Sequence, residues 1–304
     1  MQSEHHRFNT QADHDINDIG ALHEPEPHSS AQDGFRLYLE RGLDSIRPDA
    51  HSISYWLQLR GRSYIECKEG HFTLKPGQWF ALERDSAPCI GTDRHGVLIG
   101  FSADPALLSE IERHWRIPLL PGEGVLGRSD RLMLARLWRQ CAATLFTASD
   151  RFDRQRAFRR LLAGVRDTQS ELAMMLSHCP GRRMARQRQV FARLQRLRLF
   201  LRGNVDRLVP MHELSGLSSF SPWWISKTFK AVYGATVQST SVGLRIEHAC
   251  DLLTATPLSI GEISHSCGFD SPCSFARTFR ARMGCTASQY RVNPRARIAQ
   301  LASR

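Results

Sequence analysis

The stretch that decides the fold is a decapeptide that occurs twice, 50 residues apart. Residues 227–236 read KTFKAVYGAT, and residues 277–286 read RTFRARMGCT. Five positions are identical, and two more keep a cation at matched places. A repeat with this period predicts that one supersecondary unit was built twice. Each copy places cations on a helix that ends in glycine, and this combination favours nucleic-acid binding over catalysis.

The charge of the chain is concentrated around this repeat. The chain has 304 residues, which predicts about two domains, and a formal net charge of +11. Residues 189–304 contain 15 Lys+Arg and 6 Asp+Glu, whereas residues 1–188 contain 26 and 24. The basic excess therefore lies in the part that carries the repeat, as expected of a region that meets a polyanion. A basic surface that serves only solubility is the alternative explanation.

Several classes of protein are disfavoured by the sequence. The eight cysteines form no C-x-x-C pair and no Cys/His spacing typical of zinc, so we expect neither a disulfide framework nor a metal site. The N-terminus lacks the apolar run of a signal peptide, and no stretch approaches the roughly 20 apolar residues of a spanning helix. We therefore expect a cytoplasmic protein without a membrane segment. No catalytic triad, phosphate loop or paired carboxylates stand out, so we predict no enzyme, no catalytic residue and no cofactor.

Composition divides the chain into five parts. Residues 1–34 are polar and predict a disordered tail, in which clustered histidines are more plausibly mobile than metal-binding. Residues 35–178 form the first predicted domain, residues 179–188 (CPGRRMARQR) a linker, and residues 189–292 the second domain. A basic tail, 293–304, ends the chain.

The first predicted domain combines short strands with helices. Apolar and polar residues alternate in 52–59, where Ile53, Tyr55 and Leu57 share one face, and strands continue through 62–67, 72–74, 79–82 and 97–101. The Lys-Pro-Gly-Gln sequence at 75–78 predicts a turn. Such strands suggest a small antiparallel β-barrel or sandwich. Amphipathic helices are predicted at 104–116, 130–146 and 156–177.

The second predicted domain is all-helical and contains two helix-turn-helix units. Helices are expected at 193–205, 212–218, 222–232, 238–253, 260–266 and from Pro272 onward, with 238–253 connecting the units. Ser221 and Ser271 are predicted N-caps, each followed by a proline at the first helical position. Ile225 and Phe229 in one unit, and Phe275 and Phe279 in the other, are predicted to be buried. The turn of the second unit contains one extra residue.

A helix of this kind fits the major groove of duplex DNA, where base edges present a distinguishable pattern of donors and acceptors. Two such helices held about one DNA turn apart, roughly 34 Å, can enter successive grooves. Burial of the apolar faces leaves eight side chains available for contact, and these are our predicted DNA-binding residues: Trp223, Ser226, Lys227, Lys230, Cys273, Ser274, Arg277 and Arg280. Ordinary packing is the competing explanation for Trp223 and Trp224, and Cys273 could be a small filler.

These residues resemble the C-terminal domain of AraC/XylS-family transcription regulators. The resemblance rests on SPWWISKTFK (221–230), on I-x-x-I-x-x-x-x-G-F (260–269), on DSPCSFARTFR (270–280) and on GCTASQYR (284–291). It implies that 222–232 and 272–281 are recognition helices that meet bases. The connecting helix departs from the family pattern, because TSVG (240–243) replaces a Tyr-Leu-Arg-Arg-like run. Glycine and β-branched residues weaken a helix.

The same resemblance implies a cupin-like sensing and dimerising domain before the DNA-binding domain, and FTLKPGQWFAL (72–82) is similar to one hairpin of it. The fold class expected is therefore α+β. It comprises a small N-terminal cupin-like β-barrel with flanking helices and an all-α C-terminal domain. The predicted function is a sequence-specific DNA-binding transcription regulator, more often an activator in this family.

Several partners and roles stay open at this point. Double-stranded DNA is the expected partner, with RNA polymerase, an unknown small-molecule effector and a second copy of the chain as further candidates. Trp56, Tyr64 and Trp79 could line an effector pocket, or they could be core. The helices at 130–146 and 156–177 could pair between two copies, or pack within one. The alternative function is a cupin-type small-molecule-binding protein or metal-dependent enzyme with an accessory DNA-binding domain.

Overall fold

The computed structural model describes residues 33–42, 45–49 and 51–294. The chain divides into two compact units, residues 1–177 and 178–304. The first contains β-sheets and helices and the second is helical, so the fold class is α+β. Most of the two predicted tails, 1–34 and 293–304, lies outside the described residues, namely residues 1–32 and 295–304. The tail prediction is wrong for Asp33, whose side chain is buried and accepts two hydrogen bonds from Arg154, at 2.9 and 3.1 Å.

In the part of the first unit that the structure describes, nine antiparallel strands form two sheets. One sheet has the order β1-β8-β3-β6-β9, and the other has the order β2-β7-β4-β5. Among the described residues, no strand of one sheet pairs with a strand of the other. The strands are β1 (Phe35–Arg41), β2 (Ser45–Ile46), β3 (Ile53–Arg60), β4 (Ser63–Cys67), β5 (Gly70–Leu74), β6 (Gln78–Leu82), β7 (Cys89–Thr92), β8 (Val97–Ala103) and β9 (Gly122–Val125).

Strand β3 is buried on both faces, although its sequence alternates. It pairs with β6 and β8, and Ser54, Trp56 and Gln58 are as buried as the apolar residues between them. Trp56 donates from Nε1 to the Ser54 hydroxyl at 2.9 Å, which satisfies the indole in the core. The expected polar face is therefore an interior face, because polar atoms that bond locally can be buried at little cost.

The turn predicted at 75–78 is confirmed. Gly77 has a φ of +90°, and the backbone N–H of Gln78 donates to the carbonyl of Lys75 at 2.9 Å. Positive φ at this third position is the signature of a type II turn with proline in second place, and glycine adopts it without strain.

Helices α1 (Pro105–Trp115), α2 (Arg128–Thr147), α3 (Arg151–Thr168) and α4 (Ser170–Ser177) complete the first unit. The prediction of one helix across 156–177 is wrong, because the chain breaks at Gln169. The buried side chain of Gln169 accepts from the N–H of Leu120 at 3.0 Å and donates to its carbonyl at 2.8 Å. These two bonds fix Gln169 to the segment before β9. The sequence pattern did not predict this contact between Gln169 and Leu120.

The three aromatic residues proposed for an effector pocket differ in exposure. Trp56 is fully buried, Tyr64 is 53% exposed, and Trp79 is buried against Tyr55 with ring centroids 5.6 Å apart. Core packing is the explanation that fits Trp56 and Trp79. A cleft of about 520 Å³ lies elsewhere in this unit, with the Arg36–Asp49 ion pair (3.1 Å) on its wall.

The second unit, as far as residue 294, contains seven helices: α5 (Met184–Gly203), α6 (Met211–Ser218), α7 (Pro222–Tyr233), α8 (Val237–Ala255), α9 (Ile260–Ser266), α10 (Pro272–Met283) and α11 (Ala287–Val292). Helix α5 begins at Met184, inside the predicted linker and nine residues before the predicted start, because the arginines there continue a helical pattern that buries Val190 and Phe191. Helix α8 is continuous through Gly243. No helix in the described ranges combines the length and apolar character needed to cross a bilayer.

Candidate nucleic-acid interface

Helix α7 begins and ends where the sequence predicts. The Ser221 hydroxyl accepts from the backbone N–H of Trp224 at 3.3 Å, and Pro222 occupies the first position, which needs no donor. Gly234 ends the helix with a φ of +70°, and its N–H donates to the carbonyl of Lys230. Ile225 and Phe229 are fully buried. One face of the helix is therefore anchored in the core, and its start and end are set by local caps.

The opposite face of α7 carries four of the predicted DNA-binding residues. Trp223, Ser226, Lys227 and Lys230 are all exposed, and Trp223 is 70% exposed. Their spacing of i, i+3, i+4 and i+7 places them in one stripe, because a helix has about 3.6 residues per turn. The Lys227 ammonium lies 5.0 Å from the centroid of the Trp223 ring. The structure thus brings all four predicted residues together.

Trp224 belongs to the core side of the helix, as the packing explanation expects. The centroid of its ring lies 3.9 Å from the centroid of the Phe220 ring. The Arg193 guanidinium lies over the Phe220 ring, 5.1 Å from the centroid. Large aromatic contacts of this kind stabilise a turn by burying area on both partners. The two adjacent tryptophans therefore differ in role, one exposed and one packed.

Helix α10 repeats the design of α7. The Ser271 hydroxyl accepts from the N–H of Ser274 at 3.2 Å, and Gly284 ends the helix with a φ of +69°. Phe275 and Phe279 are fully buried, in a cluster with residues of α8, α9 and α11. The buried pair of one repeat is thus matched by the buried pair of the other.

Three of the four residues predicted on α10 share a stripe. Cys273, Arg277 and Arg280 are exposed and follow the i, i+4, i+7 spacing. Ser274 does not share this stripe, because it lies one position after Cys273 and is half-buried. Its carbonyl accepts a bond from the Thr278 hydroxyl at 2.9 Å. The repeat matches Ser274 with the packed Trp224, and it matches Ser226 with Ala276.

The turns between the paired helices use left-handed backbone in both units. In the first unit Ser219 has a φ of +56°, and in the second Gly268 has a φ of +67°. A Cβ on Gly268 would lie 2.7 Å from backbone atoms of Arg207, a distance that no side chain tolerates. Glycine is therefore required at 268 for two reasons, its φ and the close approach of the chain that follows α5.

Two arginines that the sequence analysis did not single out hold these turns. Arg193 in α5 donates to the carbonyl of Ser218 at 3.2 Å, at the end of α6. Arg245 in α8 donates to the carbonyls of Cys267 (2.6 Å) and Gly268, at the end of α9. Each guanidinium also covers an aromatic ring in the turn, and for Arg245 the distance to the Phe269 centroid is 4.0 Å. Such contacts satisfy carbonyls that have no partner at a helix end.

A sequence signal for these arginines exists at a spacing of 52. Residues 193–201 read RLQRLRLFL, and residues 245–253 read RIEHACDLL. The apolar residues that follow each arginine at positions +1, +4 and +8 are buried in both copies. The repeat is therefore a three-helix unit, α5–α6–α7 followed by α8–α9–α10, and not only the decapeptide.

Electrostatics inside the unit differ from those on the stripes. Burial lowers the pKa of Arg245, whose charge interacts with carbonyl dipoles rather than with water. The Arg207 guanidinium forms two bonds with Glu213, at 2.8 and 2.9 Å, and lowers the pKa of that carboxyl. These cations are occupied by structural partners. Lys227, Lys230, Arg277 and Arg280, the cations of the two stripes, take part in none of these structural contacts. They can therefore approach a polyanion.

Comparisons with known proteins place the similarity mainly in this unit. A family model described as a helix-turn-helix domain matches residues 214–293. The Transposon Tn10 TetD protein of Escherichia coli is 30% identical over 95 residues, which are 31% of this chain and 69% of that protein. The RCS-specific HTH-type transcriptional activator RclR of Escherichia coli K12 is 26% identical over 273 residues, which cover 83% of this chain and 87% of that protein.

Other alignments are shorter. Three further curated relatives are matched over only 20% to 33% of their own length, so the chain spans a third or less of each. Among solved structures, the DNA-binding domain of AdpA in complex with a target DNA is 23% identical, with a TM-score of 0.33, and the match covers 35% of this chain and 96% of that chain.

Proposed function

This chain belongs to the AraC/XylS family of transcription regulators, and we propose that it is a sequence-specific protein that binds double-stranded promoter DNA and activates transcription. One observation carries the proposal. Each of two repeated units anchors a helix by two buried side chains and leaves cations on the opposite face. Membership of a family of regulators argues against the alternative of a cupin-type enzyme.

We propose that the two stripes are the DNA-contacting surface. Arginine pairs with guanine edges through two bonds, and lysine contacts guanine or phosphate, so Arg277, Arg280, Lys227 and Lys230 supply the polar contacts. Trp223 offers a thymine methyl or a sugar an apolar surface. Ser226 and Cys273 complete the stripes, and Ser274 contributes only at the edge of the second.

The N-terminal unit supplies regulation in this proposal. Residues 35–178 act as a cupin-like sensing and dimerising domain, residues 179–188 connect it to the DNA-binding domain of 189–292, and a basic tail follows at 293–304. Two sheets of antiparallel strands support the cupin-like assignment. Exposed apolar side chains on the flanking helices, Phe146 (65% exposed) and Phe152 (61% exposed), support pairing with a second copy. The proposed partners of the chain, besides DNA, are a small-molecule effector and RNA polymerase. The proposed location is the cytoplasm.

The test uses the full chain and a random pool of DNA duplexes. We expect the wild-type protein to select a duplex whose footprint covers two neighbouring major grooves about one turn apart. The double variant Lys227→Ala/Arg277→Ala should lose about tenfold or more in affinity for that duplex, since a lost guanine contact of Arg277 costs about 1–3 kcal/mol and a lost phosphate contact of Lys227 adds to it. Arg182→Ala/Arg183→Ala is the matched control, because it removes two exposed charges of the same unit outside both helices.

Two results would contradict the proposal. Selection of no sequence over the starting pool would remove sequence specificity and leave an architectural DNA-binding protein. Equal losses in Lys227→Ala/Arg277→Ala and in Arg182→Ala/Arg183→Ala would show that net charge, rather than the two stripes, provides the affinity.

A further inference from the structure

The two decapeptides differ at three positions that the proposed DNA surface does not use, and one of them carries a charge in only one copy. The decapeptides match Val232 in α7 with Arg282 in α10. Val232 is buried, whereas Arg282 is exposed. Seven residues separate Arg282 from Phe275, which is almost two turns, so Arg282 projects from the core side of α10. It therefore lies away from the stripe that carries Arg277.

Arg282 contacts the first turn of the connecting helix. Its Nη2 atom donates to the backbone carbonyl of Ser239 at 2.9 Å and to the Ser239 hydroxyl at 2.8 Å. The N–H of Ser239 in turn donates to the hydroxyl of Thr236, the N-cap of α8, at 3.0 Å. Thr236 follows Gly234, the residue that ends α7, by two positions. The C-terminal end of α10 is thus hydrogen-bonded to the segment that directly follows α7.

Gly243 lies beside this contact. It lies one turn after Ser239 in α8, and a Cβ there would be 3.8 Å from Nη1 of Arg282. Among the described residues and outside its own helix, no other atom lies within 4 Å of that position. An alanine would fit, whereas a longer side chain would occupy the path of the guanidinium. The departure from the family pattern at 240–243 therefore coincides with the place where Arg282 crosses α8.

We infer that Arg282 is a positioning residue, which sets the separation of α7 and α10 and thereby the spacing between the two half-sites that the protein accepts. The inference rests on the proposed function, because it presupposes that both helices enter one duplex. One added base pair moves a half-site by about 3.4 Å along the axis and by about 34° around it. A rigid pair of helices rejects that change, whereas a loosely joined pair accommodates it.

The test measures spacing preference in the full chain. The probes are the duplex selected by the wild-type protein and two derivatives, with one base pair added or removed between the footprinted half-sites. We expect the wild type to bind the derivatives at least about tenfold more weakly, and Arg282→Ala to reduce this ratio to about threefold or less by weakening binding to the selected duplex. Thermal unfolding should shift by only a few degrees, because the contact is exposed.

A matched pair of variants tests the same contact without changing its charge. Gly243→Leu should displace the guanidinium and relax the spacing preference as Arg282→Ala does, whereas Gly243→Ala should keep the wild-type ratio. Both substitutions favour the helix, so neither is expected to unfold it. Arg280→Ala, which removes a cation of the proposed DNA surface, should weaken binding to all three duplexes by one factor.

Three outcomes would overturn the inference. One is an unchanged spacing ratio in Arg282→Ala; if all three duplexes are weakened equally and the salt slope falls by about one, Arg282 is a phosphate contact instead. A footprint over a single half-site would also exclude a spacing role. Failure of the wild type to select any duplex would remove the proposed function as well, and that result is distinguishable from the others because no variant is needed to observe it.

Discussion

Helices α7 and α10 bury matched side chains, Ile225 and Phe229 in one and Phe275 and Phe279 in the other, and all four are fully inaccessible. Their exposed stripes share two cationic positions but differ elsewhere: the first carries a tryptophan with lysines, the second a cysteine with arginines. The interior of the repeat is thus held constant, while the outward face varies. Such a division is expected when packing fixes the position of a helix and the outward side chains are free to recognise different DNA sequences.

The contacts at the ends of α6 and α9 differ between the two units as well. Arg245 is buried and bonds two carbonyls, whereas Arg193 is half-buried and bonds one. Pro210, the N-cap of α6, provides no side-chain cap, while α9 begins with a reciprocal Ser259–Glu262 cap. The second unit therefore has a side-chain cap at the start of α9 and one more arginine–carbonyl bond at its end than the first unit has for α6.

The largest effect is expected where the units are alike. Phe229→Ala and Phe279→Ala should each lower the free energy of unfolding by about 3–5 kcal/mol, because each leaves a cavity in a closed core. Urea denaturation followed by circular dichroism measures the loss. Leu208→Ala, at a side chain 65% exposed, is the control and should cost little. A cost below about 1 kcal/mol for only one phenylalanine would show that the two interiors are not equivalent.

Substitution of the two turn arginines, Arg193 and Arg245, should lower the free energy of unfolding by different amounts in the two units. Arg245→Met is expected to cost about 3 kcal/mol, because two buried carbonyls lose a charged donor, and Arg193→Met about 1 kcal/mol. Methionine keeps much of the apolar stem, so the difference reports the guanidinium contacts. The same denaturation experiment checks both variants. Equal costs would contradict the view that the second turn depends more on its arginine.

The recognition stripes should differ in what they discriminate. Arg277→Ala is expected to lose about 1–3 kcal/mol of discrimination at one base step, if its two donors face a guanine. Lys227→Ala should weaken all sequences more evenly and lower the salt slope by about 0.9, as expected of a phosphate contact. Competition with every single-base variant of the selected duplex measures both. Uniform weakening by Arg277→Ala would favour a non-specific role for α10.

The smallest effect concerns Glu213 in α6 and Glu262 in α9. The pKa of Glu262 is lowered from its ordinary 4.5, first by the backbone N–H of Ser259, and the pKa of Glu213 is lowered first by Arg207. A carboxyl with a lowered pKa stabilises the fold above its unfolded pKa, and this contribution is lost as pH falls through the folded pKa. We therefore expect the differences in Tm between the wild type and Glu262→Gln or Glu213→Gln to shrink below about pH 4.5.

Glutamine is a suitable probe at 262, because Gln289 already makes the same cap with Thr286 in α11. Added salt should reduce the Glu213 difference more, since that contact is an ion pair. A difference in Tm that stays constant from pH 6 to pH 3 would contradict the assigned pKa shifts.

Local signals predicted much of the DNA-binding unit. The caps at Ser221 and Ser271, the glycine ends at 234 and 284, and the four buried positions were all confirmed. These features depend on residues within four positions of one another, so a sequence displays them directly. On α10, Ser274 was predicted to be available for contact, but it is half-buried and lies outside the stripe of Cys273, Arg277 and Arg280.

Longer-range features were not predictable in the same way. The break at Gln169 depends on Leu120, which lies 49 positions earlier, and the start of α5 inside the predicted linker depends on a core for Val190 and Phe191. A segment such as CPGRRMARQR looks like a linker by composition, because Pro-Gly and arginines are typical of exposed chain. Only the partners around it make its second half helical.

The sequence by itself determined that two similar helices exist, where each begins and ends, and which side of each is apolar, because helix caps and helical periodicity are properties of neighbouring residues. The tertiary structure decided which cations are free to meet DNA and which are occupied. Arg245 reaches carbonyls 22 and 23 positions away, and Arg282 reaches Ser239 at a separation of 43. An arginine's role depends on the acceptors that packing brings to it, and no local pattern specifies those.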